Sequence, residues 1–224
     1  MKLVYRVITY VFGLFLISMG VAFSVNCNLG VSPVNSFPYV ISQVFHFDFG
    51  NCVTAVFLCY VLLQILLLRR EFKLKNLLQM VFATLFGYFV DLSKLILGDF
   101  AIPTYAGKLL MLAISILLIA VGITFYLEAD IVPLPMEGLA MAVTAKLRRF
   151  QFHNVKVALD CTSVILATAL SLIALHTLVG LREGTFLSAL LVGKVMALIG
   201  KPVKKPLHAL CYGAPQPKSA EPQK

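Results

Sequence analysis

Charge is what this chain has least of. Only 13% of its 224 residues are Asp, Glu, Lys or Arg, about half the share of an ordinary soluble domain, too little to clothe a water-soluble body. Several chemistries are missing as well. No HExxH or GxSxG occurs, so the chain offers neither a zinc-protease helix nor a serine-hydrolase elbow, and it is read as a non-enzyme. The five cysteines (Cys27, Cys52, Cys59, Cys161 and Cys211) form no CxxC and stand at no metal-ligand spacing from histidine, so no metal and no cofactor is expected. Cys27 and Cys52 fall on one predicted side, which leaves a disulfide between them open. Strand-like alternation is absent too. Backbone groups in lipid are satisfied only within helices or closed barrels, so the chain reads as α-helical.

What it has is apolar sequence. Residues of the apolar class make up 60% of the chain, and the mean hydropathy is +0.92. Apolar runs cover residues 4–25, 53–68, 77–97, 109–127, 155–175 and 186–199. A span needs roughly 20 residues to cross about 30 Å of hydrocarbon, so these six runs predict a polytopic helix bundle whose main partner is the lipid bilayer. The first run follows Met1-Lys2, as a signal peptide would. It is too long for one and has an internal relative at 109–127, so it is expected to remain in the mature protein.

The net charge of +9 is informative through its placement. Basic residues gather at Lys2 and Arg6, in RREFKLK (69–75), in KLRRF (146–150) with Lys156, and from Lys201 onward. The positive-inside rule puts these clusters, and with them both termini, in the cytoplasm. The basic balance therefore reflects topology and not a nucleic-acid partner.

The chain also repeats itself. Shifted by 102 residues, ISMGVAF (17–23) lies on IAVGITF (119–125), Pro33 on Pro135, and Asn35 on Glu137. One residue of slippage later FDFGN (47–51) lies on FQFHN (150–154), and after three more ATLFG (83–87) lies on ALLVG (189–193). Each copy holds a long helix, a short Pro-led segment and two further helices. If the short segment crossed, RREFKLK would lie outside. If it dips and returns, all basic clusters lie inside, each copy has three spans, and the second copy is inserted upside down. The expected fold is thus all-α, with two inverted three-helix repeats (1–107 and 108–200), each with a re-entrant or interfacial short helix, and a flexible cytoplasmic tail (201–224). Inverted repeats with short helices meeting near the midplane typify secondary transporters, so Asn35 and Glu137 are expected to approach one another near the centre.

At the two short helices, Pro33 and Pro135 suit the first helical position, and Ser32 is a good N-cap. Asn35 and Glu137 sit in the matching first turns, where either a capping role or a binding role fits. Other polar candidates lie within or beside the spans. Asp91 and Lys94 share a face and read as a mutual pair. Lys194 pairs with Glu137 or snorkels. Asp160 serves an inner gate or pairs with Lys156, and Glu183 complements a helix N-terminus. Asn28 and Asp130 flank the two turns. The histidines near helix ends read as ordinary interfacial residues.

LGVSPVNSF followed by FDFGN, LPMEGL in the second half and REGTFLSALLVGKV near the end together resemble the YitT/YczE-type family of small bacterial integral membrane proteins. The resemblance covers nearly all of residues 4–200. It implies a bacterial cytoplasmic-membrane location and marks Pro33, Asn35, Pro135, Glu137, Gly138, Glu183, Gly184, Thr185 and Gly193 as signature positions. Asn35 stands where an acid is expected, and Lys194 where a proline is common. No substrate comes with the family. The expected function is transport or export of a small solute, with a non-transporting scaffold, assembly factor or sensor as the alternative; a homo-oligomer is compatible with either.

Overall fold

The computed structural model describes residues 2–147 and 149–212. Its helices, in order, are α1 (Lys2–Asn26), α2 (Pro33–Phe45), α3 (Phe49–Leu68), α4 (Leu78–Leu97), α5 (Tyr105–Ala129), α6 (Pro135–Lys146), α7 (Phe152–Leu175) and α8 (Glu183–Tyr212). Six of them, all but α2 and α6, are long and apolar enough to cross a membrane. The chain is a multi-pass membrane protein. At 13 and 12 residues, α2 and α6 are only about 20 Å long at 1.5 Å per residue, too short to span.

Both short helices begin at their proline. The residue before each is extended (ψ 151° at Ser32, 152° at Leu134), as a residue preceding proline prefers. Ser32 holds the N-cap position without capping. Its hydroxyl instead accepts from Asn35 Nδ2 at 3.1 Å.

Contacts tell which helix ends lie together. Arg6 near the start of α1 donates to the carbonyls of Ala129 and Asp130 at the end of α5, and Gln64 late in α3 bonds Gln79 early in α4; these make up the near end of the bundle. At the far end, Asn26 closing α1 donates to the Gly98 and Phe100 carbonyls after α4, and Leu29 accepts from Gly184 N at the start of α8. Gly50 N at the start of α3 donates to Asp91 near the end of α4, so both neighbours of α2 in the chain, the end of α1 and the start of α3, lie at this end.

The centre is the antiparallel crossing of α1 and α5, the most extensive packing in the bundle. Gly13 lies against Gly122 and Gly20 against Ser115. A Cβ on Gly13 would stand 2.8 Å from the Gly122 carbonyl oxygen, and one on Gly20 would stand 2.9 Å from that of Ser115. α4 leans on α1 as α8 leans on α5, α2 packs on α7 as α6 packs on α3, and α2–α3 contact mirrors α6–α7. One pair breaks the pattern. α3 and α4 close on each other where a Cβ on Gly50 or Gly87 would collide with the other's carbonyl, whereas α7 and α8 scarcely touch. The aligned positions explain it: His153 stands in place of Gly50, and Gly193 faces open space.

One possibility left open by the sequence is closed and one expectation is corrected. Cys27 and Cys52 are both buried free thiols, with no disulfide between them. Residues 201–212, expected to belong to a flexible tail, are instead helical, because α8 continues to Tyr212. Leu207 and Cys211 are buried, and the Cys211 thiol lies 3.6 Å from Thr9 Oγ1, which holds this last stretch of α8 against α1. Residues 213–224 lie outside the described residues.

Candidate functional site

At the near end the first turn of α6 is built into a polar cluster. Glu137 is half-buried and accepts a hydrogen bond from the buried Tyr126 hydroxyl of α5. The Tyr126 ring meets Tyr10 of α1 edge-on, with centroids 5.8 Å apart, and Tyr10 donates its own hydroxyl to the Val132 carbonyl at 3.1 Å. Beside them two amides are sealed from solvent. Gln64 Nε2 donates to Gln79 Oε1 and to the Pro135 carbonyl, both at 3.0 Å. Gly138 packs closely here, because a Cβ would stand 2.7 Å from Gln64 Oε1 and 2.9 Å from both polar atoms of Gln79. Gln79 Nε2 has no acceptor. A buried donor left unanswered costs about 1–3 kcal/mol, so this cluster has capacity for one more acceptor.

The far end repeats the arrangement with neutral groups. Asn35 is 5% exposed, and its Oδ1 has no donor. The chain leading to it is held mainly by backbone: Val31 N donates to the Gly180 carbonyl at 3.0 Å, Ser24 Oγ to the Gly30 carbonyl at 3.0 Å, and Arg182 to the carbonyl of Asn28, itself left-handed at φ 53°. Glu183 is exposed in the first turn of α8, and Ser188 Oγ, one turn on, is a further buried hydroxyl without a partner.

Asn35 and Glu137 do not meet. Glu137 is grouped with Tyr10, whereas the turn leading to Asn35 is tied to Ser24, 14 positions further along α1, about 21 Å at 1.5 Å per residue. The reason is local. Residues 27–32 and 130–134 are short connections, and each keeps its helix start within about a turn of the span before it.

The remaining candidates scatter. Asp91 is spent on α3, where its Oδ1 accepts from Gly50 N at 2.6 Å; it forms no ion pair with Lys94. Asp91, Lys94, Asp48 and Asp99 line a far-end cavity of about 340 Å³, and Asp48 also borders a groove of about 610 Å³ with Phe45, His46, Phe47 and Asn51. Lys194 is exposed on α8 and does not pair with Glu137. Asp130 is exposed, 4.0 Å from Arg6. Asp160 does pair with Lys156, at 3.9 Å, while its Oδ1 is buried without a donor. Near it the Tyr60 hydroxyl of α3 lies 3.5 Å from Ser163 Oγ of α7. The sequence reading passed over Tyr10, Tyr126, Gln64, Gln79, Tyr60 and Ser163. The glutamines carried the clearest signal, as amides inside apolar runs.

With the geometry in place, comparison with known proteins decides the family. The chain belongs to the family of unknown function DUF6198, whose model matches residues 4–201. It is 31% identical over 146 residues to the uncharacterized membrane protein YczE of Bacillus subtilis (strain 168). That similarity covers 65% of this chain and 66% of the relative, just under two thirds of its length. The YczE-type resemblance of the motifs is thereby borne out. No solved structure matches. DUF6198 membership fixes the kind of protein and leaves its chemistry to be argued from the polar clusters.

Proposed function

We propose that this chain is a secondary transporter or exporter of a small solute, whose two halves form an inverted repeat and expose a path alternately to each side of a bacterial cytoplasmic membrane. The observation that carries the reading is the pair of short Pro-led helices lodged at opposite ends of a bundle whose main contacts recur when the halves are exchanged. Transporter folds place non-spanning helices at the repeat interface, where polar backbone and side chains face a path. Here the near end is closed by α6 through Tyr126–Glu137, Gln64–Pro135 and Tyr10–Val132. The far end offers Asn35 and the grooves around Asp48. Glu137 is the group whose engagement by proton or solute frees the Tyr126 hydroxyl and loosens the near end. Asn35 is its untitratable counterpart. Both termini are cytoplasmic in this reading.

The test is uptake into proteoliposomes holding a pH-sensitive dye, screened over amines, carboxylates, amino acids and inorganic ions. Wild-type protein is expected to move protons with one solute class. Glu137→Gln keeps size and hydrogen bonding, so the variant is expected to fold as wild type and lose that flux. Flux from no solute above empty liposomes, or an unchanged pH-sensitive flux in Glu137→Gln, defeats the reading.

A further inference from the structure

The centre of the bundle can be located from contacts, given the repeat register on which the transport reading rests. That register sets Tyr60 opposite Ser163. Two residues holding equivalent places in exchanged halves touch only where the exchange axis passes, and these two hydroxyls are 3.5 Å apart. The α1–α5 crossing supplies a second fix. Gly13 is equivalent to Ser115 and Gly20 to Gly122, yet Gly13 meets Gly122 and Gly20 meets Ser115, so the axis runs midway between the two contacts. At its other end Tyr60 stands 11 residues after Phe49 and 8 before Leu68, in the middle of α3.

One turn from Ser163, on the same face of α7, is Asp160. Its Oδ2 lies 3.9 Å from the Lys156 ammonium, and its Oδ1 is buried with no donor. The Tyr60–Ser163 contact is longer than the 2.5–3.0 Å of an ordinary O–H···O bond, so both hydroxyls retain unspent capacity. An acid within a span with half its lone pairs unanswered marks a functional position. Lys156 lies one turn toward the near end, where it serves as a tethered counter-cation. Tyr60 comes from α3. α3 also carries Cys59 next to Tyr60, and α2 and α6, which pack on α7, carry Tyr39, Glu137 and Lys146; none of these bonds to Asp160.

We propose that Asp160 is a proton-binding site at the core of the bundle, taking a proton beside the Tyr60 and Ser163 hydroxyls and giving it up as Lys156 closes on the carboxylate. The proton comes from and returns to the aqueous side that is open. While protonated, the acid is neutral and can supply a donor to either hydroxyl.

A hydrophobic carbodiimide reads this directly, because dicyclohexylcarbodiimide adds to protonated carboxyls in apolar surroundings. The full chain in liposomes is treated at a series of pH values and the adducts are located by peptide mass spectrometry. Asp160 is expected to carry the adduct, falling about tenfold per pH unit above its midpoint. Lys156→Met, which removes the counter-cation, is expected to raise labelling, and Asp160→Asn to abolish that adduct while helical content is kept. Labelling at Glu137 or Asp91 with none at Asp160, or Asp160 labelling indifferent to pH and to Lys156→Met, overturns the proposal. The readout needs no solute. Absent labelling with Glu137-dependent flux sinks this site alone, whereas pH-dependent labelling in a protein that moves no solute sinks the transport reading alone.

Discussion

Gly138 and Gln79 show how much one residue decides here. A methyl on Gly138 would press on both buried amides, which sit at 1% and 0% exposure. Gly138→Ala is therefore expected to cost about 1–3 kcal/mol, read as a lowered unfolding temperature in detergent. Gln79→Leu removes the orphaned amide but also the acceptor of one Gln64 Nε2 hydrogen, leaving Gln64 its bond to the Pro135 carbonyl, so the two effects offset and its stability is expected to change by less than about 1 kcal/mol. A loss of flux without a loss of stability in that variant assigns the amide to binding. Cys27 gives a pH dependence. Burial pushes its thiol above the ordinary value of 9.0, so the folded state favours the neutral form that the unfolded chain surrenders first. Its contribution to stability is complete below the unfolded value and is lost as pH rises through the folded one. Slow alkylation of Cys27 at neutral pH, speeding only on unfolding, is the expected result; rapid alkylation of the folded protein contradicts it. The alignment of Asn35 with Glu137 was legible in the sequence because both follow a proline at fixed spacing. The amide pair was not, because Gln64 and Gln79 are brought together only by the α3–α4 packing.

At the level of elements, the glycine contacts set which helices can touch. Gly13 against Gly122 and Gly20 against Ser115 let the α1 and α5 backbones approach closely, as small residues do between membrane helices. Ser115 Oγ adds a bond to the Gly20 carbonyl at 2.6 Å. Gly122→Val is expected to force the helices apart and to destabilise more than the same change at Gly193, whose added Cβ would meet nothing within 4 Å. Comparing the two unfolding temperatures checks this, and equal losses would mean that the crossing is not the centre of packing. The six long helices and both Pro-led starts were readable, since apolar run length and proline position act locally. The last turns of α8 were not. Pro202 and Pro206 inside KPVKKPL argue against a helix, at a usual cost of about 3 kcal/mol each in an interior, yet the helix runs through them with Leu207 and Cys211 buried. Tertiary burial overrode a correct local signal. The meeting of Asn35 and Glu137 failed for the opposite reason: the sequence said that each segment dips, and nothing in it measured how far.

For the whole molecule, charge and contacts together support the orientation that the proposed function assumes. The near end is assembled from the start of α1, the end of α3, the start of α4 and the end of α5, joined by the Arg6, Gln64–Gln79 and Tyr126–Glu137 bonds. Those same termini carry Arg6, Arg69, Arg70, Lys73 and Lys75, with Lys146, Arg149 and Lys156 at the end of α6 and the start of α7. The far end carries Asp48, Asp99 and Glu183 against Lys94, Lys108 and Arg182. Basic loops of this length tend to stay on the cytoplasmic side, so the proposed transport reading expects the near end, with α6 and Glu137, to face in and α2 with Asn35 to face out. If α2 crossed, Lys73 would leave the face that holds Arg6, and the Gln64–Gln79 contact could not lie beside Tyr10 and α6. The expectation is testable in intact cells on a cysteine-free background. Asp48→Cys is exposed at the far end and should react with a membrane-impermeant maleimide from outside, while Lys73→Cys and Arg149→Cys should react only after the membrane is opened. Labelling of Lys73→Cys and Arg149→Cys from opposite sides would place a crossing at α6 and dissolve the inverted arrangement, and labelling of Asp48→Cys and Lys73→Cys from the same side would remove α3 as a span. Labelling of Lys73→Cys and Arg149→Cys from outside with Asp48→Cys protected would turn the arrangement over, moving Glu137 to the outer mouth, where Arg6→Cys reacts from outside as well, and would place a crossing at α2 where Arg6→Cys is protected.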